Sequence, residues 1–315
     1  MLGSTGEAIR DLHRRLVSAG YDPGLSDPGR FTDATEQAVR SFQASRGLTV
    51  DGVVDAATWQ GLVESGFVLG DRLLYQRSPM LRGDDVADLQ RRLGTLGFDA
   101  GRVDGIFGPK TATALVEFQQ NCGLTPDGMC GHDTVVTLQR LSGRSPSTES
   151  IASVRERENV LHSDRSLASM RLVVGQTGGL APVTRAVSRA LRRHGAAVLT
   201  LDDEEWGKQA ETANRYDASV YIGFAVTDQL AALSYYATEG FESAGGKRLA
   251  ELLHAHECRR IDLAQPSGMR LPILRETRMP AVLYLLSDLA EAVDRATELG
   301  DSVYRSLDQW SKARR

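Results

Sequence analysis

The chain of 315 residues contains only three cysteines, which are Cys122, Cys130 and Cys258. An odd and sparse set of this kind argues against a disulfide scaffold and fits a reducing compartment. The sequence also lacks an excess of positive charge, because 37 lysines and arginines stand against 41 acidic residues, for a formal net charge of −4. This balance excludes a basic surface for nucleic acid or for an anionic membrane.

Long apolar runs are absent as well. No window approaches the run of about 18 consecutive apolar residues that a membrane-spanning helix needs. The first residues, MLGSTGEAIRDLHRRL, do not place an apolar run after a basic segment, so they do not resemble a signal peptide. We therefore expect a cytoplasmic protein.

The first half of the chain contains an internal repeat. The segment GEAIRDLHRRLVSAGYDPG matches GDDVADLQRRLGTLGFDAG, and downstream Phe42 and Gln43 match Phe118 and Gln119. In each copy, apolar residues recur at helical spacing and are interrupted by turns that contain glycine. Each copy therefore predicts a unit of three helices and about 60 residues, near the lower size limit for independent folding.

The repeat resembles a known family in a specific run of residues. The second copy combines LQRRLGTLGF, VDGIFGPKT and FQ, which is similar to the signature of the peptidoglycan-binding domains of cell-wall hydrolases. The first copy departs from this signature in the turn LSDPGRFTDAT and at His13, where glutamine is usual. The resemblance predicts peptidoglycan-binding-like repeats at residues 1–66 and 67–142. The alternative is a helical module that uses the repeat only for packing.

A linker is predicted at residues 143–169, because this segment is rich in serine and charge and poor in aromatic residues. Thr148 and Ser150 lie in it and are candidate phosphorylation sites. The alternative is a passive tether.

The pattern changes from residue 170 onward, where short apolar segments alternate with amphipathic ones. Strands are predicted at RLVVG, AAVLTL, ASVYIGFAV, LSYYAT and AVLYLL, with helices between them, and a further helix begins near Ser287 or Asp288. This alternation predicts an α/β domain over residues 170–315, with a mainly parallel sheet flanked by helices. The predicted fold is therefore multi-domain, with two small all-α three-helix repeats followed by this α/β domain.

The α/β half resembles the zinc-dependent N-acetylmuramoyl-L-alanine amidases. The resemblance is carried by SYYATEGFESAGGKRLAELL, GMRLPILRETRMPAVL and ETANRYDASVYIGF. It implies cleavage of the amide between muramic acid and the stem peptide. It also implies a zinc ion held by histidine, glutamate and histidine, with a further glutamate that transfers protons.

The functional positions of that family carry different residues here. Thr177 stands in place of the first histidine, Ala225 in place of the second and Leu285 in place of the catalytic glutamate. The glutamate ligand has no counterpart, because no acidic residue lies between Asp164 and Asp202. Thr, Ala and Leu cannot replace these groups, so we expect no zinc, no other cofactor and no amidase activity.

Two other patterns were considered as sites of relocated chemistry. His254 and Cys258 are four residues apart on one face of a predicted helix, but two ligands do not make a catalytic metal site. The segment GQTGG before a helix could hold a phosphate, but it lacks the P-loop lysine and the Rossmann spacing.

Taken together, the two repeats, the degenerate amidase-like domain and the missing export signal resemble the CwlM-like amidase homologues of actinobacteria. The stretch LLYQRSPMLRGDDVADLQRRLGTLGF carries this closer match. The resemblance implies a cytoplasmic regulator that activates UDP-N-acetylglucosamine enolpyruvyltransferase, the first committed enzyme of peptidoglycan precursor synthesis, when it is phosphorylated. It further implies contact with a serine/threonine protein kinase and with the lipid II flippase.

The phosphorylated residue is not assigned, and two alternative functions stay open beside the regulator. The chain ends at DQWSKARR without the longer threonine-bearing tail of that group, so the resemblance does not assign the phosphorylated residue. The repeats could instead make the protein a sensor of muropeptides or peptidoglycan precursors. A third hypothesis is an active amidase with unrecognised zinc ligands.

Overall fold

The computed structural model describes residues 3–24, 29–142, 154–156, 158, 166–257 and 263–312. The chain divides into two compact units, one formed by Met1–Val154 with Thr238–Phe241 and the other by Arg155–Ala237 with Glu242–Arg315. The finer division at residues 66/67, 142/143 and 169/170 stays a prediction. No helix of the described residues is long and apolar enough to cross a membrane.

The first unit contains the predicted helices of both repeats. The helices of the first copy are α1 (Glu7–Ser18), α2 (Asp33–Arg46) and α3 (Ala56–Glu64). Those of the second copy are α4 (Asp84–Thr95), α5 (Pro109–Asn121) and α6 (His132–Ser142). The prediction of two three-helix repeats is therefore confirmed.

A buried glutamine joins α5 to the turn before α6. The Nε2 group of Gln119 donates hydrogen bonds to Asp127 Oδ1 at 3.0 Å, to the carbonyl of Met129 at 3.0 Å and to Thr134 Oγ1 at 3.3 Å. Its Oε1 atom accepts the backbone N–H of Gly128 at 2.9 Å. We call this arrangement a glutamine joint, since one side chain fixes the Asp-Gly turn and the first turn of the next helix.

The same joint occurs elsewhere in both copies. Gln90 of α4 bonds to Asp104, to Thr111 and to the intervening turn, and Gln43 of α2 bonds to Asp51 and Thr58 in the equivalent way. These contacts explain why the repeat combines a helical glutamine, an Asp-Gly turn and a later threonine.

His13 occupies the position of Gln90 in the first copy. Its Nε2 atom lies 3.0 Å from Thr35 Oγ1, and the Thr35 hydroxyl donates to the carbonyl of Pro23 at 3.2 Å. Thr111 of the second copy donates to the carbonyl of Ala100 in the same manner. The departure from the family signature at His13 therefore keeps the contact to the threonine.

The described residues after the repeats form a sheet of seven strands, nearly all of it in the second unit. Its strand order is β2-β1-β3-β7-β4-β5, and β6 pairs with β4. The pairs β1–β2, β1–β3, β3–β7 and β4–β6 are parallel, and β4–β7 is antiparallel. The prediction of a mainly parallel sheet is confirmed. The strands are β1 (Arg171–Gln176), β2 (Ala197–Leu201), β3 (Val220–Val226), β4 (Ala232–Thr238), β5 (Phe241–Glu242), β6 (Ala264–Met269) and β7 (Ala281–Leu286).

Helices flank this sheet. They are α7 (Ala181–Arg193), α8 (Trp206–Arg215), α9 (Ala244–Glu257), α10 (Pro272–Glu276), α11 (Leu289–Asp294) and α12 (Ala296–Ser311). Residues of α7, α9 and α12 form one apolar core with the sheet, which includes Val174, Phe224 and Tyr284. The Asp288 carboxylate caps α11 by accepting the N–H groups of Ala290 and Glu291, as predicted for a helix that begins there.

Cys122 and Cys130 are both free thiols, so they do not form a bond with each other. Cys258 lies outside the described residues. Burial, with a smaller contribution from the Asp85 charge, raises the pKa of Cys130 from 9.0 to about 12. The unfolded thiol therefore ionises first, and the stability that this group contributes is lost as the pH rises from about 9 towards 12.

We expect Cys130 to resist alkylation in the native protein at pH 8, because it is buried and its thiolate is scarce. Cys122 is only partly buried, so it should react about 100-fold faster or more. Peptide mass spectrometry after timed labelling measures both rates. Equal rates without denaturant would contradict this packing of the second repeat.

Candidate functional site

The three positions predicted to have lost the amidase residues lie close together at one edge of the sheet. Thr177 directly follows β1, and its N–H donates to the carbonyl of Phe224 in β3 at 3.0 Å. Ala225 of β3 and Leu285 of β7 are cross-strand partners. The carboxyl ends of neighbouring parallel strands are the usual place for a ligand site in a sheet of this kind. The family resemblance and the topology therefore point to the same edge.

The turn after β1 is held by its own side chain. Gln176 is buried, and its Oε1 atom accepts the N–H of Leu180 at 2.8 Å. Gly178 and Gly179 have φ angles of +76° and +84°, which other residues rarely adopt. The amides of Thr177 and Leu180 are thus both occupied within the protein. This use of the amides weakens the hypothesis that the GQTGG segment holds a phosphate.

A buried network of hydrogen bonds holds the turn after β1 in place. Gln209 of α8 donates from Nε2 to the carbonyl of Gln176 at 2.9 Å and also to the carbonyl of Asp203. The Tyr221 hydroxyl of β3 donates to Gln209 Oε1 at 2.7 Å. Burial raises the pKa of Tyr221 well above its ordinary value, so the hydroxyl stays protonated and remains a donor. Neither Gln209 nor Tyr221 is predicted from the sequence as a site residue, because each lies on an ordinary helix or strand pattern.

The three side chains at the expected amidase positions offer no zinc ligands. Thr177 has a hydroxyl, Ala225 a methyl and Leu285 an apolar side chain, whereas zinc sites use thiolate, imidazole and carboxylate groups. Among the described residues, no group of three or more His, Cys, Asp or Glu could hold a metal ion. The residues at these three positions therefore do not fit the zinc ion that the amidase resemblance implies.

The histidines of α9 have structural contacts instead. His254 Nε2 lies 3.2 Å from the carbonyl of Leu263, and His256 Nδ1 lies 2.9 Å from Ser306 Oγ. The two rings thus have different partners, as expected from their spacing. The proposed pairing of His254 with Cys258 cannot be placed, since Cys258 is outside the described residues. Thr148 and Ser150 are also outside them.

The sequence is similar to known proteins in both halves. Residues 5–62 and 82–138 match the family described as "Putative peptidoglycan binding domain". The chain is 34% identical over 319 residues to N-acetylmuramoyl-L-alanine amidase CwlM of Mycobacterium tuberculosis, a match that covers 88% of this chain and 77% of that protein. It is 32% identical over 160 residues to N-acetylmuramoyl-L-alanine amidase CwlL of Bacillus licheniformis, with 44% of each chain covered.

A solved structure also matches the chain. It is the CwlD amidase of Clostridioides difficile in complex with the GerS lipoprotein, with a TM-score of 0.38 and 12% sequence identity. The match covers 45% of this chain and 98% of that one.

Proposed function

Because the chain belongs to the CwlM family of N-acetylmuramoyl-L-alanine amidase homologues, we propose that it is a catalytically inactive member that regulates peptidoglycan synthesis from the cytoplasm. Its target in this proposal is UDP-N-acetylglucosamine enolpyruvyltransferase, which it activates under the control of a serine/threonine protein kinase. The lipid II flippase is a further partner in the same proposal.

The observation that supports the proposed lack of amidase activity is the set of side chains at the carboxyl ends of β1, β3 and β7. Thr177, Ala225 and Leu285 meet where β1, β3 and β7 end, and none of them can bind zinc or transfer a proton to an amide. The same edge is nevertheless well ordered by Gln176 and Gln209. A packed scaffold that keeps its shape without catalytic groups supports a role in binding.

The test is the turnover of the enolpyruvyltransferase from the same organism, with and without this protein after treatment with the cognate kinase. We expect a rise of about tenfold or more, which corresponds to an activation free energy lower by about 1.4 kcal/mol. The control is the same protein without kinase treatment. An unchanged rate with both samples would contradict the activator proposal.

The muropeptide sensor is a second candidate function, because both repeats match a family described as peptidoglycan binding. Calorimetric titration of a soluble muropeptide into the full chain tests it, and no heat at millimolar ligand would count against it. The third hypothesis, an active amidase, requires about one zinc ion per chain in elemental analysis. Zinc-free protein that does not cleave muropeptide would exclude that hypothesis.

A further inference from the structure

The segments at and just after the ends of β1, β2, β3 and β7 form one surface, which we call the carboxyl edge. It comprises residues 177–179, 202–205, 226–230 and 287–289. Gln209 links the second of these loops to the first, because its Nε2 group bonds to the carbonyls of both Gln176 and Asp203. A Cβ atom added at Gly178 would contact Val226, and the N–H of Thr227 donates to the carbonyl of Leu286. The four loops are therefore neighbours.

The part of the carboxyl edge at the ends of β3 and β7 is apolar and open to solvent. Val226 is 42% exposed, Leu230 is 60% exposed and Leu289 is 41% exposed. Ala225 and the partly buried Leu285 lie beside them at the ends of β3 and β7. Large apolar side chains that share one exposed surface indicate an interaction site more often than isolated ones do.

The rest of the carboxyl edge is acidic. Its four loops contain six acidic residues and no lysine, arginine or histidine, so their formal charge is −6, against −4 for the whole chain. Among the residues that the structure describes, Asp202, Glu204 and Asp228 are exposed and form no ion pair. Such a field repels phosphate groups, which argues against nucleotide-linked precursors, nucleic acid and anionic lipid as ligands here.

We propose that the carboxyl edge binds a basic, amphipathic segment of a partner protein. The apolar side chains of that segment would cover Val226, Leu230 and Leu289, and its lysines or arginines would face Asp202, Glu204 and Asp228. Apolar side chains with charged groups beside them are typical of a protein interface, and complementary charge selects the partner. The proposal rests on the proposed function in one respect, that this edge does not serve catalysis.

The probe is a synthetic helical peptide of about 18 residues, with leucines along one face and lysines along the other. Two further peptides are compared with it: one has glutamates in place of the lysines, and the other has the same composition in an order that gives no apolar face. Fluorescence anisotropy with the full-length chain measures binding. We expect only the basic amphipathic peptide to bind in the micromolar range, with weaker binding at higher salt.

Charge-reversal variants locate the site. The edge variant carries Asp202→Lys, Glu204→Lys and Asp228→Lys. We expect its affinity for the basic peptide to fall by about tenfold or more. The matched control carries Glu211→Lys, Glu251→Lys and Asp301→Lys, which change the same net charge at exposed positions of flanking helices. It should lose less than about twofold, because its substitutions lie away from the edge and are screened by salt. Equal losses in both variants would overturn the proposal.

A second pair of variants tests the apolar side chains at the ends of β3 and β7. Leu230→Ser with Leu289→Ser should weaken binding about tenfold, because each substitution removes apolar area that the peptide would cover. Val53→Ser with Val68→Ser removes side chains of similar exposure in the first unit and should have no effect. No binding by the wild-type chain, or equal binding of the peptide without an apolar face, would also overturn the proposal. These assays omit the enolpyruvyltransferase, so their outcome is separate from that of the activation test.

Discussion

Replacing Gln119 by alanine is expected to reduce the free energy of unfolding of the second repeat by about 3–4 kcal/mol. The variant loses the two N–H donors of Nε2, which Asp127, Met129 and Thr134 share, and the bond accepted from Gly128. The cost is high because Gln119 and its partner Thr134 are buried, so water does not replace the lost bonds freely. A cavity left by the amide adds to the loss.

Labelling of Cys130 measures this loss within the second repeat itself. The buried thiol reacts when its surroundings open, so its labelling rate in Gln119→Ala should rise about 100-fold or more. Gln120→Ala is the matched control, because Gln120 is the exposed neighbour of Gln119 on α5. Similar labelling rates in the two variants would show that the glutamine joint contributes little to stability.

The glutamine joint also makes the stability of the second repeat depend on pH. Its turn holds the pKa of Asp127 below the ordinary value, first through the Met129 N–H and then through Gln119. The stability that this carboxylate contributes is present above its unfolded pKa of about 3.8 and is lost as the pH falls below it. Gln119→Ala should therefore weaken the dependence of stability on pH in the acidic range.

Gly175→Ala is expected to destabilise the second unit by about 3–4 kcal/mol, through overpacking and a broken buried hydrogen bond. A Cβ atom at Gly175 would overlap Tyr221 Oη and Gln209 Oε1, the two atoms of that bond, and would lie 2.9 Å from Tyr221 Cζ. Because Gln209 also holds the carbonyl of Gln176, the turn that contains Thr177 should move as well.

Thermal unfolding followed by circular dichroism measures the loss in Gly175→Ala. The matched control is Gly207→Ala on α8, where the nearest atom to an added Cβ is Glu276 Oε2 at 3.8 Å. Alanine is the better helix former, so this control should be neutral or stabilising by up to about 1 kcal/mol. The interpretation of Gly175 would be wrong if both variants melted at the wild-type temperature.

The amino-acid sequence by itself determined the local elements. Apolar spacing predicted the six helices of the repeats and the strands β1, β2, β3, β4 and β7, because each of these elements carries apolar residues at the spacing of its type. It missed β6, whose residues AQPSGM contain a proline and none of which is buried, and the two-residue β5. Those strands are defined by backbone pairing with β4, which leaves no apolar pattern in the chain.

The family resemblance came from the sequence as well, together with the positions Thr177, Ala225 and Leu285 where the amidase residues are expected. Only the tertiary structure decided that these positions meet, since the crossovers between β1, β3 and β7 place their ends side by side. The role of Gly175 depended on the fold in the same way, because Tyr221 and Gln209 approach it from distant parts of the chain. The acidic and apolar loops of the carboxyl edge also become one surface only through strand order. Local pattern reports which side of an element is buried, whereas the packing of the whole domain decides which elements become neighbours.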